Sequence, residues 1–554
     1  MSKAIDFQTD PSTYRHWRVE YEGAVARLIM DVDEQGGLFD GYELKLNSYD
    51  LGVDIELADV VQRMRFEHPK VGAVVMQSGK EKVFCAGANI RMLGGAEHSH
   101  KVNFCKFTNE TRNTFEAAGR ESGQHYLAAI KGACAGGGYE LALACDEIYM
   151  TDDGSTSVAL PEVPLLAVLP GTGGLTRITD KRKMRRDLAD VFCSVEEGIR
   201  GKRAKDWNLV DAVVANSKFD DFVTQKAIAY AEKAKGQTSR IGIKLNELDR
   251  TFHEDGSITY SLVEVEIDRA KGLATITLSG PKEDAPSSIE ELHKQGDQSW
   301  MLRLARELDN AILHLRFNEL EIGVLIFKTV GDPAKVISHE KQLLENREND
   351  WLSSEILLYW KRVLKRVDLT SRSLVALVEN GSCFAGFLAE LLFAVDRSYM
   401  MEGEFDEDNR PTASLTLTAS NFGSFPMSND LTRLQTRFLG DPEKVGEAQA
   451  NIGNSLEADE ADQHGLVTFI YDDIDWEDEV RIFLEERVSF SADAMTGMEA
   501  NLRFPGPETM ETRIFGRLTA WQNWIFQRPS AVGEKGALQR YGTGKRGEYD
   551  KRRV

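Results

Sequence analysis

Apolar and polar positions alternate along the first part of the chain with two different periods. Residues 18–31 alternate and then turn apolar, which predicts one or two strands, whereas residues 51–66 carry apolar side chains at helical spacing. Residues 71–76 form a short β-branched run that is typical of a buried strand. The same reasoning predicts a helix at 101–118, a strand at 125–130, a helix at 139–145 and a strand at 148–150. Strands that alternate with helices predict an α/β domain with parallel strands.

The same order of elements returns in the second half of the chain. Four ordered matches support this: residues 262–278 resemble 18–31, 322–327 resemble 71–76, 390–399 resemble 140–149 without a gap, and 464–467 resemble 207–210. We therefore predict two tandem copies of one unit, divided near residue 255 in a polar, turn-like segment. The predicted domains are residues 1–255, residues 256–475 and a helix-rich C-terminal region at 476–554.

The second copy is degenerate where the first is most unusual. Its segment Ala334–His339 has no glycine, and Phe387 stands where the first copy has Gly137. No acidic residue lies between Pro411 and Phe425, where a second conspicuous acid of the first copy would recur. We therefore expect any chemistry to belong to the first copy.

Glycine-rich segments follow two of the predicted strands in the first copy, at residues 84–90 and 135–140. Glycine lets a backbone turn tightly after a strand, and a helix that starts there leaves its first N–H groups unpaired. Two such N–H groups, near Ala88 and Gly137, can form an oxyanion hole. The alternative is that these glycines only permit close packing.

Two glutamates accompany these segments. Glu140 lies among apolar neighbours, where a carboxylate is costly unless it is paired or functional, although a helix N-terminus also favours an acid. Glu162 lies in the apolar segment Pro161–Pro164, predicted as a stiff loop, and could instead be a surface acid. Two carboxylates in one apolar site push their pKa values apart, so that one can act as base and the other as acid.

At these residues the chain resembles the crotonase superfamily, which has the enoyl-CoA hydratase/isomerase fold. The motifs that carry the resemblance are Phe84-Cys-Ala-Gly-Ala-Asn-Ile90, Gly136-Gly-Gly-Tyr-Glu-Leu141, Pro161-Glu162 and Pro170-Gly-Thr-Gly-Gly174. The resemblance covers roughly residues 20–215, and the weaker second copy extends it to about residue 470. It implies an α/β crotonase-like ββα spiral in two tandem copies, the second degenerate, followed by a helical C-terminal region.

The resemblance also implies roles for individual residues. The N–H groups of Ala88 and Gly137 would bind a thioester carbonyl, and Glu140 and Glu162 would be the two acid/base residues. Further substrate contacts are expected from Ala86, Asn89, Ile90 and Lys45. Two of these positions depart from the family pattern, because Asn89 replaces the usual Asp and Lys45 lies one place from the expected Lys.

A chain of this length with a degenerate second copy resembles family members that act on a ring thioester. The resemblance implies hydrolytic ring opening of 2,3-epoxybenzoyl-CoA with loss of formate, giving an open-chain dehydroadipyl-CoA semialdehyde. Coenzyme A would be part of the substrate, with no other cofactor and no metal. Two alternatives stay open: an ordinary enoyl-CoA hydratase, and a non-catalytic acyl-CoA-binding protein, for which two acids in apolar surroundings have no use.

Composition and charge limit the classes of partner that the protein is expected to bind. The formal net charge of −22 disfavours a general nucleic-acid binder, which needs dense Lys and Arg. The basic run at residues 181–186 could bind an anion, although a solvated helix face is the simpler interpretation. No segment has the apolar length of a signal or a membrane span, so we expect a cytoplasmic protein, and family members suggest a homodimer.

The sequence also predicts roles for several cysteines, histidines and apolar side chains. The six cysteines are expected to be buried free thiols, and His98 and His100 to lie in a polar loop rather than bind a metal. The aromatic residues Trp521, Trp524 and Phe526 could form a dimer surface or a lid. Candidates for a ring-binding wall, which could equally be ordinary core, are Met92, Leu93, Phe104 and Phe107.

Overall fold

The computed structural model describes residues 4–234, 239–403 and 409–554, which separate into two compact units. One unit comprises Asp6–Glu247, and the other comprises Leu248–Val554 together with the N-terminal residues up to Ile5. The N-terminal residues join the second unit through Ile5, whose backbone exchanges hydrogen bonds of 2.8 and 2.9 Å with the Asn318 side chain. No helix among the described residues is long and apolar enough to cross a membrane.

The unit of residues 6–247 alternates strands and helices. Its strands are β1 (Trp17–Glu22), β2 (Val25–Met30), β3 (Ala73–Ser78), β4 (Val83–Cys85), β5 (His125–Ile130), β6 (Ala133–Ala135), β7 (Glu147–Asp152), β8 (Ser157–Ala159), β9 (Ile199–Arg200) and β10 (Ala212–Ala215). Its helices are α1 (Leu51–Phe66), α2 (Ile90–Gly95), α3 (His98–Glu121), α4 (Gly137–Ala144), α5 (Glu162–Leu166), α6 (Gly174–Thr176), α7 (Arg186–Cys193), α8 (Gly201–Asp206) and α9 (Asn216–Lys233).

These strands form two sheets. A six-stranded sheet has the order β1-β2-β3-β5-β7-β10, antiparallel between β1 and β2 and parallel from β2 onward. A smaller sheet has the order β4-β6-β8-β9, and β4, β6 and β8 are parallel. The chain thus passes from a long strand to a short one three times, from β3 to β4, from β5 to β6 and from β7 to β8. The predicted mixed α/β fold with parallel strands is confirmed.

Local chemistry explains where the central elements begin and pack. Helix α1 begins after Asp50, whose carboxylate accepts from the N–H groups of Gly52 (2.9 Å) and Val53 (3.2 Å), as a helix N-cap does. Helix α9 covers one face of the six-stranded sheet with Phe219, Val223 and two alanines, against buried residues of β2, β3, β5 and β7. The buried face of each element therefore follows the apolar periodicity of its sequence.

The unit of residues 248–554 has the following strands: β11 (Arg250–Phe252), β12 (Ile258–Tyr260), β13 (Val263–Asp268), β14 (Leu273–Ser279), β15 (Val324–Val330), β16 (Ser373–Val378), β17 (Phe384–Ala385), β18 (Arg397–Met401), β19 (Leu415–Thr416), β20 (Ser455–Leu456) and β21 (Phe469–Tyr471). Its helices are α10 (Ile289–Gln295), α11 (Trp300–Asn318), α12 (Pro333–Asn346), α13 (Trp351–Leu369), α14 (Ala389–Ala394), α15 (Arg433–Arg437), α16 (Glu443–Ala450), α17 (Ala458–Gln463), α18 (Trp476–Ser489), α19 (Ala492–Arg503), α20 (Met510–Arg517), α21 (Asn523–Ile525), α22 (Pro529–Val532) and α23 (Ala537–Arg540).

The order of its sheets repeats that of the other unit with two differences: the large sheet has two additional strands at its antiparallel edge, and the small sheet has one strand fewer. The large sheet runs β11-β12-β13-β14-β15-β16-β18-β21, antiparallel up to β14 and parallel from β14 onward. The small sheet has only β17-β19-β20. Between β15 and β16, where the other unit has β4 after β3, the described residues form helices α12 and α13 and no strand. The small sheet of this unit therefore lacks a strand at the place of β4.

Two local predictions are wrong. His98 and His100 lie in the first turn of helix α3 and not in a loop, and Glu162 opens the short helix α5 where a stiff loop was expected. In both cases the polar residue lies on the exposed or terminal turn of a helix, where apolar periodicity gives no signal. The predicted helix at 51–66 is confirmed to the residue, and the predicted strands recur within a few positions.

Phe387, which aligns with Gly137, lies in the core of the 248–554 unit. Its truncation tests how much its packing stabilises that core. Its side chain is fully buried, with ring centroids 4.5 Å from Trp360 and 5.6 Å from Trp300. We expect Phe387→Ala to lower the free energy of unfolding by about 3–5 kcal/mol, since the two tryptophans cannot close the cavity. Urea denaturation followed by tryptophan fluorescence measures this, and Phe490→Ala, at a ring that is 42% exposed, should cost less than about 1 kcal/mol. Equal losses for both variants would contradict a packing role for Phe387.

Candidate active site

The predicted site residues follow three neighbouring strands of the small sheet in the 6–247 unit. Ala86–Ala88 come directly after β4, Gly136–Glu140 after β6, and Glu162 shortly after β8. Because β4, β6 and β8 are parallel, their carboxyl ends lie at the same edge of the sheet. The sheet therefore brings together three segments that are up to seventy-odd residues apart in the sequence.

In the segment after β4, the N–H group of Ala88 has no hydrogen-bond acceptor among the described residues. The Tyr49 N–H donates to the Gly87 carbonyl at 3.0 Å, and the Asn89 N–H donates to the Tyr49 carbonyl at 2.8 Å. In an extended segment the groups of successive residues point in alternate directions, so the Ala88 N–H points away from Tyr49. Ala86 and Ile90 are exposed and Ala88 is half-buried, whereas the residues between them are buried. The segment thus presents one open edge that carries three of the predicted contact residues.

The N–H group of Gly137 is the second candidate donor. Gly137 is the first residue of helix α4, and its N–H finds no acceptor among the described residues, as expected for the first turn of a helix. Gly87, with a φ of +93°, lies so close that a Cβ on it would be 2.9 Å from the Gly137 nitrogen. Glycine at position 87 is therefore required both by the turn and by the approach of the two donor segments.

Asn47 anchors the loop that precedes helix α1. Its side chain is completely buried and accepts from the Val32 N–H at 3.0 Å. It also donates to the carbonyls of Met30 (2.9 Å) and Phe84 (3.2 Å), which ties the loop to β2 and β4. Asn47 and its neighbour Leu46 adopt φ values of +51° and +58°, which non-glycine residues rarely do. This strained loop holds Tyr49 against the segment of Ala88.

Asn89 and Lys45 have different surroundings. The Asn89 side chain caps helix α2 by accepting from the Met92 N–H at 2.9 Å, and its amide donates to the Glu43 carbonyl at 2.8 Å. The usual Asp of the family could make the first of these bonds but could not donate the second. Lys45 is exposed and pairs with Glu43 at 2.6 Å. Its contact with substrate stays a prediction.

Glu140 is held by donors from the loop after helix α5. Its Oε1 accepts from the backbone N–H groups of Thr172 (2.9 Å) and Gly174 (2.7 Å), and its Oε2 accepts from the Thr172 hydroxyl. The side chain is buried, at 2% exposure. Three donors aimed at one group match a carboxylate, which only accepts. The predicted motif at residues 170–174 therefore orients Glu140.

The surroundings of Glu162 differ from those of Glu140 in the hydrogen bonds that they supply. It is also buried, and its Oε2 finds no hydrogen-bond partner among the described residues. Its Oε1 faces Gly136, where a Cβ would come within 2.9 Å of it. Burial, reinforced by the negative charge of Glu140, raises the pKa of Glu162 to about 7. Near neutral pH this carboxyl can therefore hold a proton and give it up.

The two glutamates thus differ in a way that suits acid–base chemistry. A base needs an oriented carboxylate, which Glu140 provides through its three donors. An acid needs a proton at neutral pH, which the environment of Glu162 favours. Two unpaired N–H groups stand at the same edge of the sheet and can stabilise an oxyanion. Together these groups can polarise a carbonyl while moving a proton on each side of a reacting centre.

The candidates for a ring-binding wall are mostly core residues of helices α2 and α3. Met92, Phe104 and Phe107 are at most 4% exposed, and Leu93 is half-buried. Phe104 packs against the ring of Tyr49 at 5.9 Å between centroids, which places it one layer behind the site. Phe107 packs against Phe7 at 5.3 Å. Of the four, Phe104 therefore has the closest link to the site.

Several remaining predictions concern side chains outside the site. All six cysteines are free thiols and form no disulfide. Four of them are buried, and Cys105 and Cys193 are half-buried. Two residues of the basic run are engaged in ion pairs, Lys181 with Glu116 at 2.6 Å and Arg182 with Asp211 at 2.9 Å, whereas Lys183, Arg185 and Arg186 are exposed. Trp521 and Trp524 lie 6.0 Å apart, and their proposed role in a dimer or a lid stays a prediction. Across the described ranges, no group of three or more His, Cys, Asp or Glu could hold a metal ion.

A buried cluster behind the site was not predicted from the sequence. Asp54 and Arg112 are at most 2% exposed and lie 3.4 Å apart, and the Thr108 hydroxyl donates to Asp54. The Arg112 guanidinium lies 5.3 Å from the centre of the Tyr49 ring. A signal was present, because Asp54 is a charged residue within the apolar stripe of helix α1. Its partner on helix α3 could not be identified without the fold.

At the matching place in the 248–554 unit, an aromatic side chain fills the space and an arginine pairs with the buried acid. Glu390, which matches Glu140, accepts from Arg433 at 2.9 Å and from Asn421 at 2.8 Å. Phe387 fills the position of Gly137, and helix α12 replaces the strand and the glycine turn. A second buried acid, Glu340, lies beside Gly386 there and accepts from the Thr418 hydroxyl at 2.8 Å. Among its described residues, this unit therefore presents a bulky side chain and differently paired acids in place of the open glycine turn.

Comparison with known proteins gives a consistent result. The enoyl-CoA hydratase/isomerase family model matches residues 43–260. The whole chain is 51% identical over 554 residues to the benzoyl-CoA-dihydrodiol lyase of Aromatoleum evansii, which covers 100% of this chain and 99% of that protein. A fatty acid oxidation complex subunit alpha of Aliivibrio fischeri is 30% identical over 237 residues, 41% of this chain and 31% of that protein.

Among solved structures, an enoyl-CoA hydratase of Geobacillus kaustophilus HTA426 is 30% identical and covers 40% of this chain and 75% of that chain, with a TM-score of 0.35. The sequence likeness, which spans the full length of one relative, is the stronger of the two kinds of comparison and carries the assignment of the family.

Because Glu162 is buried, we expect the stability difference between the native protein and Glu162→Gln to depend on pH. Because the pKa of Glu162 is higher in the folded protein than in the unfolded chain, the unfolded chain loses this proton first as pH rises from about 4.5 to about 7. The folded protein loses stability over that window, and Gln at this position does not titrate. We therefore expect Glu162→Gln to gain stability over the native protein as pH rises through this window, with a constant difference above it. Urea denaturation at pH 5 and pH 8 measures this.

The control for this comparison is Glu232→Gln, at an exposed position of helix α9. Its stability relative to the native protein should be the same at both pH values. A difference for Glu162→Gln that did not grow with pH would show that this carboxyl is solvated in the folded protein.

Proposed function

The chain belongs to the crotonase family, the enoyl-CoA hydratase/isomerase family, and from this premise we propose that it is a lyase that opens the ring of 2,3-epoxybenzoyl-CoA with loss of formate. The product is an open-chain dehydroadipyl-CoA semialdehyde, and the reaction belongs to aerobic benzoate degradation. The relative that matches over the full length carries the name benzoyl-CoA-dihydrodiol lyase. The likeness to that protein supports a ring thioester as the substrate in preference to a linear one.

The observation that carries the proposal is the pairing of two unlike glutamates with two unpaired N–H groups at one sheet edge. The N–H groups of Ala88 and Gly137 donate hydrogen bonds to the thioester carbonyl oxygen and draw electron density toward it. Glu140, held by the 170–174 loop, takes a proton from water as the water attacks the ring. Glu162 gives its proton to the oxygen that leaves as the epoxide C–O bond breaks.

A second water then completes the reaction. The C–C bond between the two hydroxyl-bearing ring carbons first breaks, which opens the ring and leaves an aldehyde on the carbon beside the thioester-bearing carbon. The water adds to that aldehyde, its bond to the thioester-bearing carbon breaks, and the aldehyde carbon leaves as formate. The electron pair of the broken bond is accepted toward the thioester, whose carbonyl oxygen stays at the two N–H donors. Two water molecules are consumed, and no electrons are taken from or given to another reagent. We propose that coenzyme A, as part of the substrate, is the only cofactor-like group involved.

The coenzyme A moiety must approach along the open edge of the segment after β4. Ala86 and Ile90 are exposed there, and Asn89 fixes the course of the chain between them and helix α2. We assign the substrate contacts to Ala86, Asn89 and Ile90, with Lys45 as a cation on the neighbouring loop. A flexible lysine suits phosphate, and its pairing with Glu43 is exposed and weak.

We further propose that the two units are tandem copies of one ancestral unit, the second degenerate. The repeated strand order, the loss of β4 and the substitution of Phe387 for Gly137 support this. The corresponding domains are residues 1–255, 256–475 and 476–554. A cytoplasmic homodimer that binds neither nucleic acid nor membrane is the assembly we expect, given the net charge of −22.

An ordinary enoyl-CoA hydratase is the alternative within the same fold. It would use the same four groups and add water to a linear enoyl thioester. The full-length likeness to a lyase of ring thioesters favours ring opening. A non-catalytic acyl-CoA-binding protein would need the two N–H donors but no buried acid with a perturbed pKa, which Glu162 has.

The test of the proposed function is a formate assay with epoxidised benzoyl-CoA as the substrate. We expect one formate for each thioester consumed and much slower hydration of crotonyl-CoA. Hydration of crotonyl-CoA without any formate would instead support the ordinary hydratase.

The two glutamates are tested in the same assay. Glu140→Gln and Glu162→Gln should each lower kcat by about 10²–10⁴-fold, because each removes one proton-transfer step. The dissociation constant of benzoyl-CoA should change little, since neither acid holds the thioester. Glu232→Gln, at an exposed position, is the matched control. Near-native kcat in either site variant would show that its acid–base role is assigned wrongly.

A further inference from the structure

Tyr49 is a buried phenol that the acid–base mechanism does not use. It is 1% exposed, and its hydroxyl has no hydrogen-bond partner among the described residues. Buried tyrosine hydroxyls usually find a partner, as Tyr139 does in the same unit by donating to the Leu209 carbonyl at 2.7 Å. A buried donor without an acceptor is costly, and the position of the Tyr49 hydroxyl beside a second unpaired donor suggests that a ligand supplies the acceptor.

The hydroxyl of Tyr49 lies beside the Gly137 donor. A Cβ on Gly137 would be 2.0 Å from the Tyr49 oxygen. Since a Cβ is about 2.5 Å from its own backbone nitrogen, the two donors lie within about 4.5 Å of each other. One oxygen atom can therefore accept from both. The backbone of Tyr49 also pairs with the segment of Ala88, so this residue contacts both halves of the oxyanion hole.

The buried Asp54–Arg112 pair holds the Tyr49 ring in place. The Arg112 guanidinium lies 5.3 Å from the ring centre, and Phe104 packs against the same ring. A positive charge behind a phenol polarises its O–H bond and strengthens it as a donor. Burial raises the pKa of Tyr49 well above its usual value, more than the Arg112 charge lowers it, so the hydroxyl keeps its proton.

The other unit shows what the same place looks like without these features. Glu307 accepts from the N–H groups of Leu262 and Val263 as Glu56 accepts from those of His16 and Trp17, and this aligns helix α11 with helix α1. In that alignment Trp300 takes the place of Tyr49. Its ring packs on Phe387 at 5.6 Å, and its N–H donates to the Ser279 carbonyl at 3.0 Å. That unit leaves no unpaired hydroxyl at the position.

We propose that Tyr49 is a catalytic residue whose O–H donates a third hydrogen bond to the thioester oxygen, beside the N–H groups of Ala88 and Gly137. This role rests on the proposed function only in that the ligand is a thioester, and it does not depend on ring opening. The third donor suits a thioester whose carbonyl is conjugated with a ring, because charge released in the ring can pass to its oxygen.

The experiment compares Tyr49→Phe with Tyr126→Phe in the full chain. Tyr126 lies on β5, is fully buried and also has an unpaired hydroxyl, and it packs on Phe115 at 5.0 Å. Both substitutions remove one unpaired buried hydroxyl and keep the ring, so neither should lower Tm. We expect kcat with epoxidised benzoyl-CoA to fall about 100-fold for Tyr49→Phe, as after loss of one oxyanion-hole donor, and to stay within about twofold for Tyr126→Phe.

The decisive readout is the infrared stretching frequency of carbonyl-labelled benzoyl-CoA bound to each protein. Donors to the carbonyl oxygen lower this frequency, so Tyr49→Phe should shift it upward, and Tyr126→Phe should match the native protein. This measurement needs binding and no turnover. A native protein that releases no formate would therefore contradict the proposed function alone, whereas an unchanged frequency in Tyr49→Phe, or no binding of benzoyl-CoA to the native protein, would overturn the role of Tyr49.

Discussion

The site depends on the pairing of three short parallel strands, β4, β6 and β8. Parallel pairing places the segments that follow these strands at one edge of the small sheet, and each segment contributes a different group. β4 leads to the Ala88 N–H, β6 leads to Gly137 and Glu140, and β8 leads to Glu162. The strands have three residues each, so they cannot hold this arrangement alone. The six-stranded sheet, from which each of them continues, provides the rigid support.

Burial at this edge has opposite effects on groups of the same type. Glu140 and Glu162 are both almost inaccessible, yet one receives three hydrogen bonds and the other leaves an oxygen unpaired. The loop of residues 170–174 supplies all three donors to Glu140, so its position decides which carboxyl is held as an oriented acceptor. The unpaired hydroxyl of Tyr49 is a similar case. Its burial costs free energy, which the other contacts of the fold must offset.

Sequence patterns predicted the fold best where a single element carried a long apolar period. Helix α1 was predicted to the residue because sixteen residues repeat one pattern after the capping Asp50. Helix α5 was missed because five residues around a proline have no readable period. The donors and the two glutamates were predictable from glycines and acids in apolar sequence. Tyr49 was not, because its significance depends on a contact with Gly137 that lies far along the chain.

The 248–554 unit shows how a similar strand order packs without such a site. At the place of Gly137, Phe387 fills the volume between two tryptophans. The buried Glu390 is paired with Arg433, which also pairs with Asp368. Glu340, on helix α12 where the other unit has β4, is also buried, and burial raises its pKa to about 7. Buried acids that face no open pair of donors must be held by pairing or by protonation, so the geometry that suits the proposed chemistry is found, among the described residues, in the unit that contains β4.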